Sequence, residues 1–250
     1  VTGPGRGPRF TKRDPGAPPG LFAAEAAGLA FLAEAGAVRL PAVLAVEPDA
    51  IVTARIPVGA ASRDGAEELG RQLADLHACA PPAFGAPWAG FIGPLPLDNG
   101  SAEDWPSFYV ERRVRPYLRQ AADRGALDPI QAVGIERALD RLPARAGPPE
   151  PPARIHGDLW SGNVVWDRAG AAWLVDPAAH GGHRETDLAM LALFGAPHLD
   201  RLLAAYHEHR PLAEGWQERV LLHQLHPLLV HAVLFGAPYG ERAAAAARRL

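Results

Sequence analysis

Cysteine occurs once in the 250 residues, at Cys79; lysine occurs once, at Lys12; asparagine occurs twice, at Asn99 and Asn163. A single thiol excludes an intrachain disulfide framework and fits a reducing compartment. No uninterrupted apolar stretch reaches the roughly 18 residues of a membrane span, and no secretory signal pattern opens the chain. A formal charge of -3 lacks the basic excess that favours a nucleic-acid backbone. The expectation is a soluble cytoplasmic protein with neither nucleic-acid nor membrane partners. What is present is apolar: 48% hydrophobic residues can fill the core of one large domain or of two lobes.

Arginine fills every other one of the 25 basic positions. A chain so biased keeps a lysine where a planar guanidinium does not serve, as in a tight phosphate-facing pocket that needs a compact ammonium. The Gly/Pro opening "VTGPGRGP" does not supply such a pocket by itself. Its prolines lack amide donors, and its spacing fits neither of the common glycine-rich phosphate loops.

Along the chain, "RFTKR" reads as a short strand and "PPGLFAAEAAGLAFLAEAG" as a helix with Leu21, Phe22, Leu29 and Leu32 on its apolar face. "AVLAVEP" and "AIVTARI" are strands joined by a turn at Pro48 and Asp49. These elements make a small α+β lobe over 1–57. From "DGAEELGRQLADLHA" onward, over 58–250, the pattern is chiefly helical, with Asp104 an N-cap and a bend or break expected near Pro227. "PPAFGAPWAGFIGPLPLDNG" is a long Gly/Pro-rich excursion anchored by Phe84, Trp88, Phe91 and Ile92, expensive to order unless it packs or binds something.

The densest chemistry lies in "RIHGDLWSGNVVW", followed after a turn by "AWLVDP". Asp158 and Asn163 fall in a turn entering one strand and Asp176 at the exit of the next, so a hairpin can bring all three together. Asp158 can orient and deprotonate a hydroxyl. Asn163 and Asp176 offer a neutral and an anionic oxygen to Mg²⁺. Lys12, steadied by Glu25, would face a donor's phosphates from the other lobe. This is the division of labour in phosphoryl transfer.

The ordered set resembles the fructosamine kinase (ketosamine-3-kinase) family, within the protein-kinase-like superfamily that includes aminoglycoside phosphotransferases. The resemblance runs through "RFTKR", "LADLHA", "FGAPWAGFIGPLPLDNG", "IHGDLWSGNVVW" and "VDPAAHGGHRETDLAM" to "GWQERVLLHQLHPLLVHAVLFGAPY". It implies a two-lobed α+β kinase fold, ATP and Mg²⁺ as cofactors, and phosphorylation of O3 of a fructosamine or related ketosamine, either a small sugar-amine adduct or a glycated protein lysine. It casts Asp158 as base, Asn163 and Asp176 as metal ligands, Lys12 and Glu25 as the phosphate-binding pair, and Thr53, Ala54, Arg55 and Ile56 as the lobe-linking segment that binds adenine through its backbone. Ala54, Arg55, Asp98, His223 and His226 depart from the family pattern. The resemblance also places a glycine-containing strand-turn-strand ahead of "RFTKR", which this sequence starts too late to contain; without it the small lobe should bind ATP less well, and either further residues precede Val1, the preferred reading, or the kinase is impaired. Aminoglycoside or other small-alcohol phosphorylation, and a catalytically impaired nucleotide-binding module, are the competing readings.

Of the neighbouring residues, His156 and Asp187 are expected to shape the catalytic loop. Trp160, His180, His183 and Glu185 are candidates for acceptor contact, with packing in the loop the alternative for Trp160, a structural role for His180 and His183, and shaping of its own segment for Glu185. A zinc role for His180 and His183, three apart, lacks a third ligand in the pattern. His77 reads as a satisfied packing residue and Cys79 as a thiol without an activating setting.

Overall fold

The computed structural model describes residues 7–250. The first six residues, with most of the glycine/proline opening, lie outside the described residues. In chain order the elements are β1 (Arg9–Arg13), α1 (Leu21–Ala33), β2 (Val43–Glu47), β3 (Ala50–Ala54), α2 (Arg63–Ala78), β4 (Gly90–Ile92), β5 (Leu95–Leu97) and α3 (Trp105–Phe108). A π-helical turn, Tyr109–Val114, leads into α4 (Arg115–Asp123), followed by α5 (Pro129–Asp140), α6 (Leu142–Arg145) and β6 (Ala153–Ile155). Then come a 3₁₀ turn (Ser161–Asn163), β7 (Val164–Trp166), β8 (Ala172–Leu174), β9 (His180–Gly182), α7 (Arg184–Phe194), α8 (Leu199–His209), α9 (Trp216–Phe235) and α10 (Ala237–Ala247).

The small lobe is an antiparallel sheet in the order β1-β3-β2 with α1 packed on it. Register pairs Lys12 with Ile51 and Phe10 with Thr53. Alternation along β1 therefore sets Lys12 on one face of the sheet, and Phe22, Leu29 and Ile51 form the small core beneath. The large lobe holds two apolar clusters. One lies around α2, α8 and the β7–β8 hairpin; the other is built from α4, α5, α9 and α10.

Two features differ from the sequence expectation. The Gly/Pro-rich excursion contains the β4–β5 hairpin, seated by buried Phe84, Ile92, Leu95 and Leu97. The last long helix, α9, runs through Pro227 without a break. Proline removes the N–H that would pair with the carbonyl of His223 and so normally ruptures a helix. Here the Tyr109 hydroxyl takes that place, donating to the carbonyls of Leu222 at 2.8 Å and His223 at 3.0 Å.

Candidate functional site

Nested strand pairing creates the site. β6 pairs with β9, and β7, which follows β6, pairs with β8, which precedes β9. The connection from β6 to β7 and the one from β8 to β9 must therefore run side by side. The first carries Asp158 and Asn163, and the second carries Asp176. Asn163 fastens them: its Nδ2 donates to the Asp158 carbonyl (2.8 Å), the Asp158 carboxylate (3.0 Å) and the Asp176 carbonyl (3.5 Å). All three contacts use the amide nitrogen, so Oδ1 is the atom Asn163 can present to a cation.

Asp176 has φ 53°, the left-handed region that a non-glycine residue enters at a cost of roughly 1–3 kcal/mol. That conformation turns a 42% exposed carboxylate into the cleft, where Oδ2 lies 2.9 Å from Lys12 Nζ. Glu25 of α1 meets the same ammonium at 2.9 Å. Burial works against the Lys12 charge, but the two carboxylates outweigh it and raise its pKa. Burial also lifts the Glu25 pKa, with Lys12 opposing and Asp176 reinforcing. Asp158 is pushed up to about 6, chiefly by burial; its bond from Asn163 opposes this, while Asp176 and Asp187 add to it.

The scaffold behind the loop is fully buried. The Asp187 carboxylate accepts the backbone N–H of His156 (2.7 Å) and of Gly157 (2.9 Å), and His77 stands 3.2 Å away. Burial would raise its pKa, yet His77 and the loop donors hold it below the usual carboxylate value. The His156 ring donates from Nε2 to the Val175 carbonyl (2.9 Å) and accepts the Asp158 N–H at Nδ1, tying the two connections together as a neutral imidazole. Gly157 between them has φ 80°, and a Cβ there would collide with the Ala178 carbonyl, so only glycine fits.

The cleft has two cavities that share Lys12, Glu25 and Asp176. One, of about 390 Å³, is mainly apolar, between Phe10, Leu29 and Ile51 of the small lobe and Val58, Val165 and Val175 of the large one; Thr53, Ala54, Arg55 and Ile56 border it. The Arg55 N–H is already given to the Pro8 carbonyl at 2.9 Å. The other, of about 430 Å³, is polar and aromatic, bounded by Asp14, Trp88, Phe91, Asn99, Asp158 and Trp160. Trp160 is 40% exposed and lies over Gly162, where a Cβ would collide with its ring.

Of the candidates for acceptor contact, His180, His183 and Glu185 do not line this cavity. All three are buried. The two histidines border only an internal void of about 10 Å³, room for one water at most. Glu185 is consumed by Arg219 in a two-bond pair of 2.6 and 2.9 Å; burial resists ionisation, but His223 and Arg219 bring it down to about 2. Its ligand atoms and those of His183 and His223 fall within 4.8 Å of one another. The guanidinium already neutralises the carboxylate that a cation would need. His223 and His226 are likewise buried away from the cleft, and the Asp98 carboxylate faces outward onto Arg112 at 2.6 Å. The sequence reading did not single out Asp14 as part of the site.

A family model described as "Fructosamine kinase" matches residues 4–250. The chain belongs to the fructosamine kinase family. It is accordingly a kinase. The "Probable ketoamine kinase" of Thermus thermophilus is 40% identical over 92% of this chain and 81% of its own length. The "Protein-ribulosamine 3-kinase, chloroplastic" of Arabidopsis thaliana is 32% identical over 94% of this chain and 73% of its own. A crystal structure of a candidate fructosamine-3-kinase from Thermobifida fusca superposes with a TM-score of 0.93 at 51% identity, covering 97% of this chain and 85% of that one. An aminoglycoside phosphotransferase in ternary complex with ADP and hygromycin B, at 17% identity and a TM-score of 0.56, shares the fold of this kinase over 90% of the chain. No helix of this fructosamine kinase family member is long and apolar enough, among the described residues, to cross a membrane.

Proposed function

We propose that the chain transfers the γ-phosphoryl group of ATP to O3 of a ketosamine, free or on a glycated lysine. The observation that carries this reading is the meeting of an apolar cavity and a polar, aromatic cavity at Lys12 and Asp176. A purine fits the first, a polyol fits the second, and the reacting phosphate lies at their junction. Asp158, on the acceptor side, takes the hydroxyl proton as the oxygen attacks phosphorus and the bond to ADP breaks. Lys12 draws charge from the donor phosphates, and Glu25 keeps it there. Asn163 Oδ1 and the Asp176 carboxylate are the hard oxygen donors suited to Mg²⁺. When bound, that ion offsets the charge on the phosphates. The 3-position follows the name of the plant relative. Four carboxylates, Asp14, Glu25, Asp158 and Asp176, line the cavity against the one ammonium of Lys12, so the field suits an acceptor bearing a protonated amine.

The test is a matched assay with Mg-ATP and a ketosamine, a plain sugar and an aminoglycoside, followed by phosphorus NMR of the product. Transfer to the ketosamine at O3 is expected. Transfer only to the aminoglycoside overturns the substrate, and absence of both ATP binding and transfer leaves a nucleotide-free interaction module.

Lys12→Arg is expected to raise the KM for ATP about tenfold or more while leaving the acceptor KM within about twofold, because a planar guanidinium cannot sit between Glu25 and Asp176 as a point charge does. Unchanged ATP kinetics would remove the reason for the chain's only lysine.

A further inference from the structure

Arg113 is the largest fully buried side chain among the described residues, 1% exposed. It sits in the π-helical turn between α3 and α4, an irregularity that recurs at functional positions. No carboxylate within ion-pair distance balances it among the described residues; the neighbouring Asp98 carboxylate is held by Arg112 instead. A buried cation without an anion is costly, so its other bonds must account for its place.

Apart from one to the adjacent Arg112 carbonyl, those bonds go to groups one step behind the cleft wall. One Nη donates to the Asp98 carbonyl, and to that of Arg112 at 3.1 Å. The other donates to Asn99 Oδ1 at 2.9 Å. Nε donates to His180 Nε2 at 3.3 Å, and His180 can accept because its Nδ1 proton is directed to the Ala178 carbonyl at 2.8 Å. The Phe108 ring lies 4.4 Å from the guanidinium carbon. Asn99 passes the constraint on: its Nδ2 donates to the Trp88 carbonyl at 3.2 Å, and its own carbonyl receives the Ala86 N–H at 3.0 Å. Asn99, Trp88 and Ala178 all border the cavity on the Asp158 side. One guanidinium thus joins the two walls between which an acceptor lies, the loop around β4–β5 and the segment after Asp176. The nucleotide cavity receives none of these bonds.

We propose that Arg113 is a positioning residue for the acceptor, holding the Trp88–Asn99 wall and the Ala178 segment at a fixed separation through Asn99 and His180. This rests on the reading of the cavity as the acceptor's, and it explains why the chain's other asparagine is placed at residue 99. A planar, forked donor is required, since an ammonium cannot reach the Asp98 carbonyl, Asn99 Oδ1 and His180 Nε2 together.

The test compares Arg113→Met, Arg113→Lys and Asn99→Ala in the full-length protein by steady-state kinetics and amide hydrogen exchange. Methionine fills the volume without a buried charge, so the fold should persist. The expected result for Arg113→Met is an acceptor KM raised at least tenfold, an ATP KM within twofold, and faster exchange over residues 86–99 with no change over 43–54. Arg113→Lys should recover only part of the acceptor KM. Asn99→Ala in the Arg113→Met background should add less than twofold, because both act through one connection. The proposal is overturned if the two KM values rise together, if acceptor KM and exchange both stay unchanged, or if lysine restores the wild-type values. If the wild type phosphorylates an aminoglycoside instead of a ketosamine, the substrate assignment fails while Arg113 is judged with that acceptor. If it phosphorylates nothing, the exchange arm alone decides: faster exchange confined to 86–99 supports the proposal, and any other pattern overturns it.

Discussion

Replacing Asp158 with asparagine is expected to lower kcat by about three orders of magnitude, within the 10²–10⁴-fold contribution typical of a positioned general base. The amide keeps the size of the side chain but accepts no proton. Burial acts on the carboxylate as a cost, since its pKa is pushed up to about 6. A carboxylate raised in the folded state gives up stability above its ordinary pKa, so the variant should melt no lower than the wild type, and its ATP KM should stay within about twofold. The same carboxylate sets the acid limb of the wild-type rate. As pH falls the base becomes protonated, so kcat/KM for the acceptor should drop about tenfold per unit on its acid limb. With Mg-ATP bound that limb should lie below the value of about 6 that holds for the protein alone, because Mg²⁺ favours the anion. Wild-type-like turnover in Asp158→Asn would remove the proposed base.

Asp187→Ala should produce the largest loss of stability of any single change in the site, about 3–5 kcal/mol. Its carboxylate accepts the N–H groups of His156 and Gly157, with His77 alongside, in a place no water reaches. Truncation leaves those buried donors without an acceptor, the expensive case for hydrogen bonds. At about 2–4 °C per kcal/mol for a chain of this size, Tm should fall by about 10 °C. Since burial is outweighed and the folded pKa is depressed, this stabilisation is complete above the ordinary carboxylate pKa and is lost as pH falls through the lower folded value. Turnover should fall as well, because Gly157 leads directly into Asp158. Differential scanning calorimetry decides the matter: a Tm shift under about 2 °C would show that other groups hold the loop.

The chemistry was more legible in the sequence than the geometry that assembles it. Lys12 and Asn163 stood out by rarity, and Asp158 and Asp176 by sitting beside short apolar runs that packing alone would not break with acids. The sequence reading used a hairpin to bring them together. The structure adds β6 and β9, each only three residues and buried throughout, so neither shows the alternation that reveals a strand. Between a substrate-side and a structural place for His180 and His183 linear spacing could not choose, because it does not tell which way a side chain turns; both turn into the packed layer with Phe108 and Trp105. The helix continues through Pro227 without the break that was one expectation, and a tyrosine more than a hundred residues earlier satisfies the orphaned carbonyl, a compensation no local pattern contains. Arg113 was hidden for a related reason. In a chain with so many arginines nothing marks the few that are buried, Arg113 among them.

Asn163 and Asp176 are proposed to hold one cation-nucleotide site opposite Lys12. Binding of Mn²⁺, as a paramagnetic substitute for Mg²⁺, followed by electron paramagnetic resonance with and without ADP, tests it without relying on turnover. The account predicts nucleotide-dependent Mn²⁺ binding in the wild type, weakened at least tenfold in Asp176→Asn and in Asn163→Ala and retained in Asp158→Asn. Equal Mn²⁺ affinity in the wild type and in both of the first two variants would contradict it.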